Sequence, residues 1–541
     1  MLLETLLAFT LAPITATTAA QEAPPSLAWS IPDDALMSFR WKDPKGLIAN
    51  EQKNNWISLL SDPRVWESDL FQLMDRDIEA PEGTKSAMFS LFQACSEMVA
   101  WVEPQPEFNA LFALAMRAEE KPIAEFMKLA TDPIQVSEED GITYYAEDGI
   151  ALAWGGDLVL LYGQNIGTPS RADMVRRFKA IKAQTSPAGP FESSTLGTDR
   201  NADQLEFLIG IDAVLNWVPE EELSTREIPE PFLEELREIE WVYTSAQFGA
   251  GVTFDSEVVA PFKPDGYLAR FLGFAAPVDA KILKRVPEHA LGAMATQLDF
   301  KGAFDWVASE MIAAGAMTQE DFEMAMFNIV AAFDFDLEKD LLGELRGDIL
   351  QITFPVDDIE DPMKRITAYT YGMWVLGVSD GDTVSETLSS IMAVLSDSIE
   401  IEATNPSWGS KWAVDIFGFL GLDLAVSKEE LFLSAHPNGI EQFMDHVSAE
   451  EPPSSFYDLP TVQKCLKELT GTYLYLYRTS AMMDSTDPHM EALMEGDDNN
   501  YSFAMIRFMG LISNLAGEQL DGIIGTSITL DSRIRSKTIV R

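Results

Sequence analysis

The clearest helical pattern lies between Arg171 and Ala183, where Met174, Val175, Phe178 and Ile181 share one stripe. Ser170 precedes it and Asp173 follows three residues later, the residue types that cap a helix start. This spacing predicts a helix that packs on a sheet or a second helix. Alternating or apolar runs bounded by turn residues predict strands near 35–41, 96–102, 111–117, 142–147, 150–154 and 158–162, with turns at Gly149, Gly155 and Gly156. Helices are expected at about 47–75 and about 121–130, and Gly249 and Gly251 between strand-like runs from Trp241 to Phe254 predict a hairpin. The order begins β-α-β-β-α-β. This is a split βαβ, ferredoxin-like start in the α+β class, with a largely antiparallel sheet carrying helices on one face.

The pattern also recurs. IPDDALMSFRW (31–41) matches VPEHALGAMAT (286–296), setting Pro32 against Pro287 at an offset of 255. SEMVAWVEP, ending at Pro104, matches GDILQITFP, ending at Pro355, at an offset of 251. GIALAWGGDLVLLYGQN, ending at Asn165, matches GLDLAVSKEELFLSAHPN, ending at Asn438, at an offset of 273. Matches that keep their order while the offset drifts are what duplication followed by loop insertion leaves. The expected organisation is a signal segment at 1–20, a linker at 21–30, a first α+β copy at 31–285 and a second at 286–541.

Composition changes this picture in two ways. With 47% hydrophobic and 23% charged residues, the 541-residue chain has the apolar content of a folded protein of more than one domain. Its 87 acidic residues against 38 basic ones give a formal charge of -49, which argues against nucleic acid and anionic membrane surfaces as partners. The N-terminal MLLETLLAFTLAPITATTAA has a short apolar stretch and ends in small residues, like a secretory signal, although Glu4 stands where a positive charge is usual. The chain is therefore expected to be exported, to the periplasm, cell envelope or medium. No later stretch is apolar for long enough to form a membrane helix. Cys95 and Cys465 are the only cysteines, and they read as two lone buried thiols, with pairing open outside the cytoplasm.

FDFDLEKDLLGELRGDILQITFP (333–355), YGMWVLGVSDGDTVSETLSSIM (371–392), GLDLAVSKEELFLSAHPNGIEQFM (421–444) and the opening IPDDALMSF (31–39) together resemble a group of exported bacterial proteins. These are common in planctomycetes and are grouped only as a domain of unknown function. The resemblance covers most of residues 31–440 and implies fold and export. Its motifs are structural, and no functional residues come with it.

The sharpest match to a catalytic motif is Gly377-Val378-Ser379-Asp380-Gly381, a G-x-S-x-G between a strand-like and a helix-like segment. A serine hydrolase would use Ser379 as nucleophile, with His436, His446 or His489 as base. No H-G-G-G segment precedes it, and the matching point of the first copy, Met116-Arg117-Ala118-Glu119, has neither serine nor glycine. The alternative is a helix-start turn with Ser379 or Asp380 near the cap. The four histidines form no zinc-peptidase pair. Asp357, Asp358, Glu360 and Asp361 crowd one loop, and Glu495, Asp497 and Asp498 sit beside Asn499 and Asn500 in another, hard oxygen donors of the kind calcium takes. Neither has EF-hand spacing, so solvated loops are the competing reading. Arg171, Arg176, Arg177, Lys179 and Lys182 form the conspicuous basic run, expected to pair with nearby carboxylates, with an anion or partner site as the alternative. Phosphate-loop and dinucleotide fingerprints are absent. The balance favours a non-enzymatic binding or envelope-associated protein.

Overall fold

In the computed structural model the described residues run from 27 to 540, the longest undescribed stretches being 50–61, 69–86, 184–204, 220–229 and 479–522. The chain divides into two compact units near residue 262.

Unit one holds β1 (Met37–Lys42), β2 (Cys95–Gln105), β3 (Asn109–Ala118), β4 (Ser137–Glu139), β5 (Ile142–Glu147), β6 (Ile150–Gly155), β7 (Leu158–Gln164), β8 (Leu205–Gly210), β9 (Trp241–Phe248) and β10 (Val252–Val259). They lie in the order β4-β5-β6-β7-β3-β2-β1-β8-β9-β10, every neighbouring pair antiparallel. The β6–β7 turn needs a left-handed residue, and Gly156 supplies it with φ +64°. The near-continuous burial along β2 and β3 marks strands covered on both faces. On one face α2 (Arg171–Ala183) sets Met174, Val175, Phe178 and Ile181 against Val99, Trp101, Leu160 and Tyr162. On the other, α1 (Glu120–Thr131) sets Ile123 and Met127 against Met98, Leu114, Met116 and Val159. Cys95 lies in this second layer as a free, buried thiol whose burial pushes its pKa far up, which leaves it unreactive.

Unit two holds the two-residue β11 (Ala275–Ala276), β12 (Gly292–Leu298), β13 (Leu345–Thr353), β14 (Met373–Val378), β15 (Glu400–Thr404), β16 (Gly409–Ile416), β17 (Leu420–Ser427), β18 (Glu430–Ser434), β19 (Tyr473–Arg478), β20 (Ile523–Leu530) and β21 (Ile534–Val540). With β11 set against the end of β12, the order is β15-β16-β17-β18-β14-β13-β12-β19-β20-β21, again antiparallel throughout. Strand for strand, this is the order of unit one. Registers agree as well: Met37 lies opposite Val102, while Gly292, 255 residues beyond Met37, lies opposite Thr353, 251 beyond Val102. Besides a short helix at Tyr267–Gly273, its described α-helices are α3 (Phe300–Ala313), α4 (Gln319–Phe333), α5 (Gly381–Leu395), α6 (Gly439–Val447) and α7 (Pro460–Leu466). α6 buries Ile440, Phe443 and Met444 on one face of the sheet, and α5 buries Val384, Leu388 and Met392 on the other. Cys465 on α7 is free and buried.

The protein is thus α+β, with three departures from the sequence reading. β1 and β2 pair directly and antiparallel, so the start is a meander rather than a split βαβ, which would place a third strand between them. Helices cover both faces of each sheet. Residues from about 275 belong with the second unit, because Ala275 pairs with Leu298 and Leu283 and Val286 enter its core; the boundary expected at 285/286 falls inside that unit. Of the helices expected at 47–75, Pro44–Ala49 and Pro63–Trp66 are helical and the remainder lies largely outside the described residues. So do Gly249 and Gly251, although β9 and β10 on either side do pair. The signal segment at 1–20 and the linker up to residue 26 are also outside the described residues. Among the described residues no helix is long and apolar enough to cross a membrane.

Candidate functional site

Ser379 lies exposed between β14 and α5, its backbone N–H donating to the Glu344 carbonyl at 2.8 Å. The cap of α5 is Asp380, whose carboxylate accepts from the N–H groups of Asp382 and Thr383 and from the Thr383 hydroxyl. The two glycines of the motif have packing reasons: a Cβ at Gly377 would strike the Asp348 carboxylate, and one at Gly381 the Ser427 carbonyl. His436 follows Ser434, which pairs with Met373 at the opposite end of β14. At about 3.4 Å per residue, the length of that strand sets Ser379 and His436 roughly 20 Å apart. The His436 ring bonds the Pro355 carbonyl and the Asn438 N–H. His446 bonds the Lys284 carbonyl and His289 the Gln442 side chain, while His489 lies outside the described residues. Among the described residues no histidine is hydrogen-bonded to a carboxylate, and β14 has antiparallel neighbours on both sides where a nucleophile elbow needs a parallel sheet. The arrangement is a helix start.

This assignment can be measured. Ser379→Ala should leave the melting temperature nearly unchanged, whereas Asp380→Ala should lower it by about 2–4 °C through loss of the cap. The Thr383 N–H, with its hydroxyl, holds the Asp380 carboxyl below its ordinary value of 3.8. The cap's contribution is therefore present above that pH and is lost as acid protonates the group. Calorimetry in which Asp380→Ala melts like the parent would remove the cap.

Four of the five residues of the basic run on α2 form ion pairs, Arg171 with Glu139, Arg176 with Asp173, Lys179 with Asp140, and Arg177 with Glu103 at 2.7 Å, while Lys182 is exposed near the end of the helix. Arg177 also donates to the Tyr162 hydroxyl and lies over its ring, while burial pushes that phenol up to about 12. Asp357, Asp358, Glu360 and Asp361 lie outside the described residues, as do Glu495, Asp497, Asp498, Asn499 and Asn500. Among the described residues no group of three or more His, Cys, Asp or Glu side chains converges for a metal.

In unit two His289, Gln442, Asp445, His446 and Arg478 line a cleft of about 550 Å³. A different feature stands out more. Between β12 and β13 the chain makes a helical hairpin, α3 and α4, that the sheet does not require. Asp299 caps α3 through the Gly302 N–H, and Thr318 and Asp321 form a capping box at the start of α4. Its base is anchored where Trp306 packs on Tyr267 at 5.3 Å and on Phe274 at 5.7 Å, and Phe304 meets Phe322 between the helices. Yet no residue of either helix is fully buried. Phe327 is 68% exposed and Met324 55%, with Val330, Val307 and Met311 also exposed. A helix apolar on its inner and outer sides is normally covered on both, and a contiguous exposed apolar patch marks an interaction surface.

The sequence carried a signal for this that periodicity alone does not flag: from Met324 to Phe333 there is no charged residue, so α4 lacks a solvated face. Beside it, Lys301, Phe327, Val330, Asp336, Glu338 and Glu344 are among the residues lining a groove of about 590 Å³.

No family model matches the chain, and no curated protein matches it. Among solved structures, one crystal form of TP0453 matches with 13% identity over 41% of this chain and 76% of that one, at a TM-score of 0.23. Another matches with 11% identity over 48% of this chain and 88% of that one, at 0.27. At these scores the likeness carries no argument.

Proposed function

We propose that this chain is an exported, strongly acidic, non-enzymatic binding protein of the cell envelope or its surroundings, with the α3–α4 hairpin as its binding element. The observation that supports the reading is the outward row of Met324, Phe327 and Val330 on a helix already anchored through its other side. These side chains are already partly covered, so a partner that removes the remainder from water gains roughly 1–2 kcal/mol on each. Anchoring the hairpin at its base means that little ordering is needed at the moment of contact. Export rests on the character of residues 1–20, and the shared strand order of the units supports reading them as diverged copies of one module.

A photoreactive p-benzoylphenylalanine in place of Phe327, introduced in the producing cell and irradiated there, tests the binding element. A discrete adduct is expected from position 327 and none from an exposed control such as Asp157. Equal labelling from both positions, or none from either, would count against the hairpin.

A further inference from the structure

The face of α4 that carries Phe327 is acidic at both ends. With Phe327 as the centre of a helical wheel, Met324, Val330 and Ala331 fall beside it and Glu320 and Glu323 fall on the same side one to two turns before, while Asp334 is the left-handed residue that ends the helix two turns after. Glu320, Glu323 and Asp334 are exposed, and none forms an ion pair among the described residues. The adjoining groove repeats the theme, with Phe327 and Val330 as apolar lining and Asp336, Glu338 and Glu344 as carboxylates. Its lining also holds two lysines, Lys301, which pairs with Glu338 of the groove and with Asp305, and Lys339, which pairs with Asp340.

From this charge complementarity we infer that the hairpin docks a cationic amphipathic helix, one apolar stripe flanked by lysine or arginine, supplied by another polypeptide. The inference rests on the hairpin being the binding element and adds the chemistry of its partner. An apolar stripe of methionine and phenylalanine accepts helices of varied sequence because the thioether adapts its shape. The carboxylates at either end select against anionic and neutral stripes. From Glu320 to Asp334 the face spans about 21 Å at 1.5 Å per residue, so the flanking cations should stand about four turns apart. The formal charge of -49 steers such a partner from a distance. A second copy of this chain is a poor occupant, since an antiparallel pairing of two α4 helices would set Glu320 and Glu323 of one against Asp334 of the other. Anionic lipid is disfavoured on the same ground.

The test uses the full chain and a fluorescent 18-residue peptide with leucines on one face and lysines at both ends, read by anisotropy. A second peptide carries glutamate in place of each lysine. The lysine peptide should bind and the glutamate peptide should not. Met324→Ser with Phe327→Ser should weaken binding at least tenfold at an unchanged melting temperature. Glu320→Gln with Asp334→Asn should weaken it several-fold and flatten its salt dependence. Equal binding of both peptides, or lysine-peptide binding indifferent to the Met324 and Phe327 changes, overturns the inference, the latter because it would be adhesion to a polyanion. So does a dimer in sedimentation that Phe327→Ser dissociates, which would make a second copy the occupant. A discrete adduct from position 327 combined with failure of the lysine peptide would leave the hairpin as the binding element and remove only this class of partner.

Discussion

Glu206→Ala is expected to destabilise unit one by about 3–5 kcal/mol, the range for breaking a buried ion pair from one side. The Glu206 side chain is 1% exposed and sits between Arg40 at 3.2 Å and Lys42 at 3.0 Å, with the Tyr243 hydroxyl donating to it at 2.9 Å. Arg40 turns its Nε to Glu97, whose second oxygen accepts the Leu27 N–H. Three strands, β1, β2 and β8, and the segment before β1 are thus joined through four charges on one sheet face. Removing the Glu206 carboxylate leaves Arg40 and Lys42 without a shared counter-charge where water has little access. Unit two shows what the same place looks like without charges. Arg40 stands opposite Glu206 across β1 and β8, and the matched pair across β12 and β19 is Ala295 opposite Leu474. The double replacement Arg40→Ala with Glu206→Leu should therefore recover part of the loss, because the two facing charges leave together and Glu97 keeps the Leu27 N–H, while Glu97 gives up its Arg40 ion pair and the Tyr243 hydroxyl its acceptor. Guanidinium unfolding followed by circular dichroism measures both variants. A double variant as unstable as Glu206→Ala would mean that unit one, unlike unit two, cannot accept an apolar solution there.

The same cluster marks the limit of what the sequence made legible. β1 reads Met-Ser-Phe-Arg-Trp-Lys, and alternation assigns Ser38, Arg40 and Lys42 to a solvated face. That inference holds for a sheet covered on one side. Here α2 and the segment from Leu27 cover the face that alternation leaves to water, so Arg40 and Glu206 are buried and had to find partners. Local pattern was sufficient where an element carries its own signals. Helix α2 begins and ends where its cap and stripe place it, and strands β5, β6 and β7 lie within a residue or two of their expected bounds. It failed where long connections separate partners: with more than fifty residues between β1 and β2, nothing local told whether they pair directly or across a third strand. The Gly377–Gly381 motif shows the converse error, since its glycines answer to Asp348 and Ser427, which no local pattern brings near. The hairpin was not anticipated, and its exposure could not be, because exposure depends on what the sheet leaves uncovered.

Phe178→Ala and Phe443→Ala are expected to cost their units about 3–5 kcal/mol each. Both rings are 0% exposed, one at the centre of α2 and the other of α6. Four buried positions of the two helices match at a shift of 265, with Met174, Val175, Phe178 and Ile181 in the places of Gly439, Ile440, Phe443 and His446, while buried Met444 answers to exposed Lys179. Under each ring the sheet presents matched residues as well, Leu160 in unit one and Phe432 in unit two, the latter 5.7 Å from Phe443. The cost combines the transfer free energy of the deleted ring with the cavity left behind, and it depends on how far the neighbours relax. Leu160 is smaller and branched while Phe432 is rigid and packs edge-on against Phe443, so the unit-two site has less freedom to collapse and its loss should fall at the upper end. Equilibrium unfolding of each variant gives the two numbers. If Phe443→Ala cost under about 1 kcal/mol while Phe178→Ala took the full amount, the two helices would not hold equivalent places in their cores. The shared strand order would then record a common architecture without a common core.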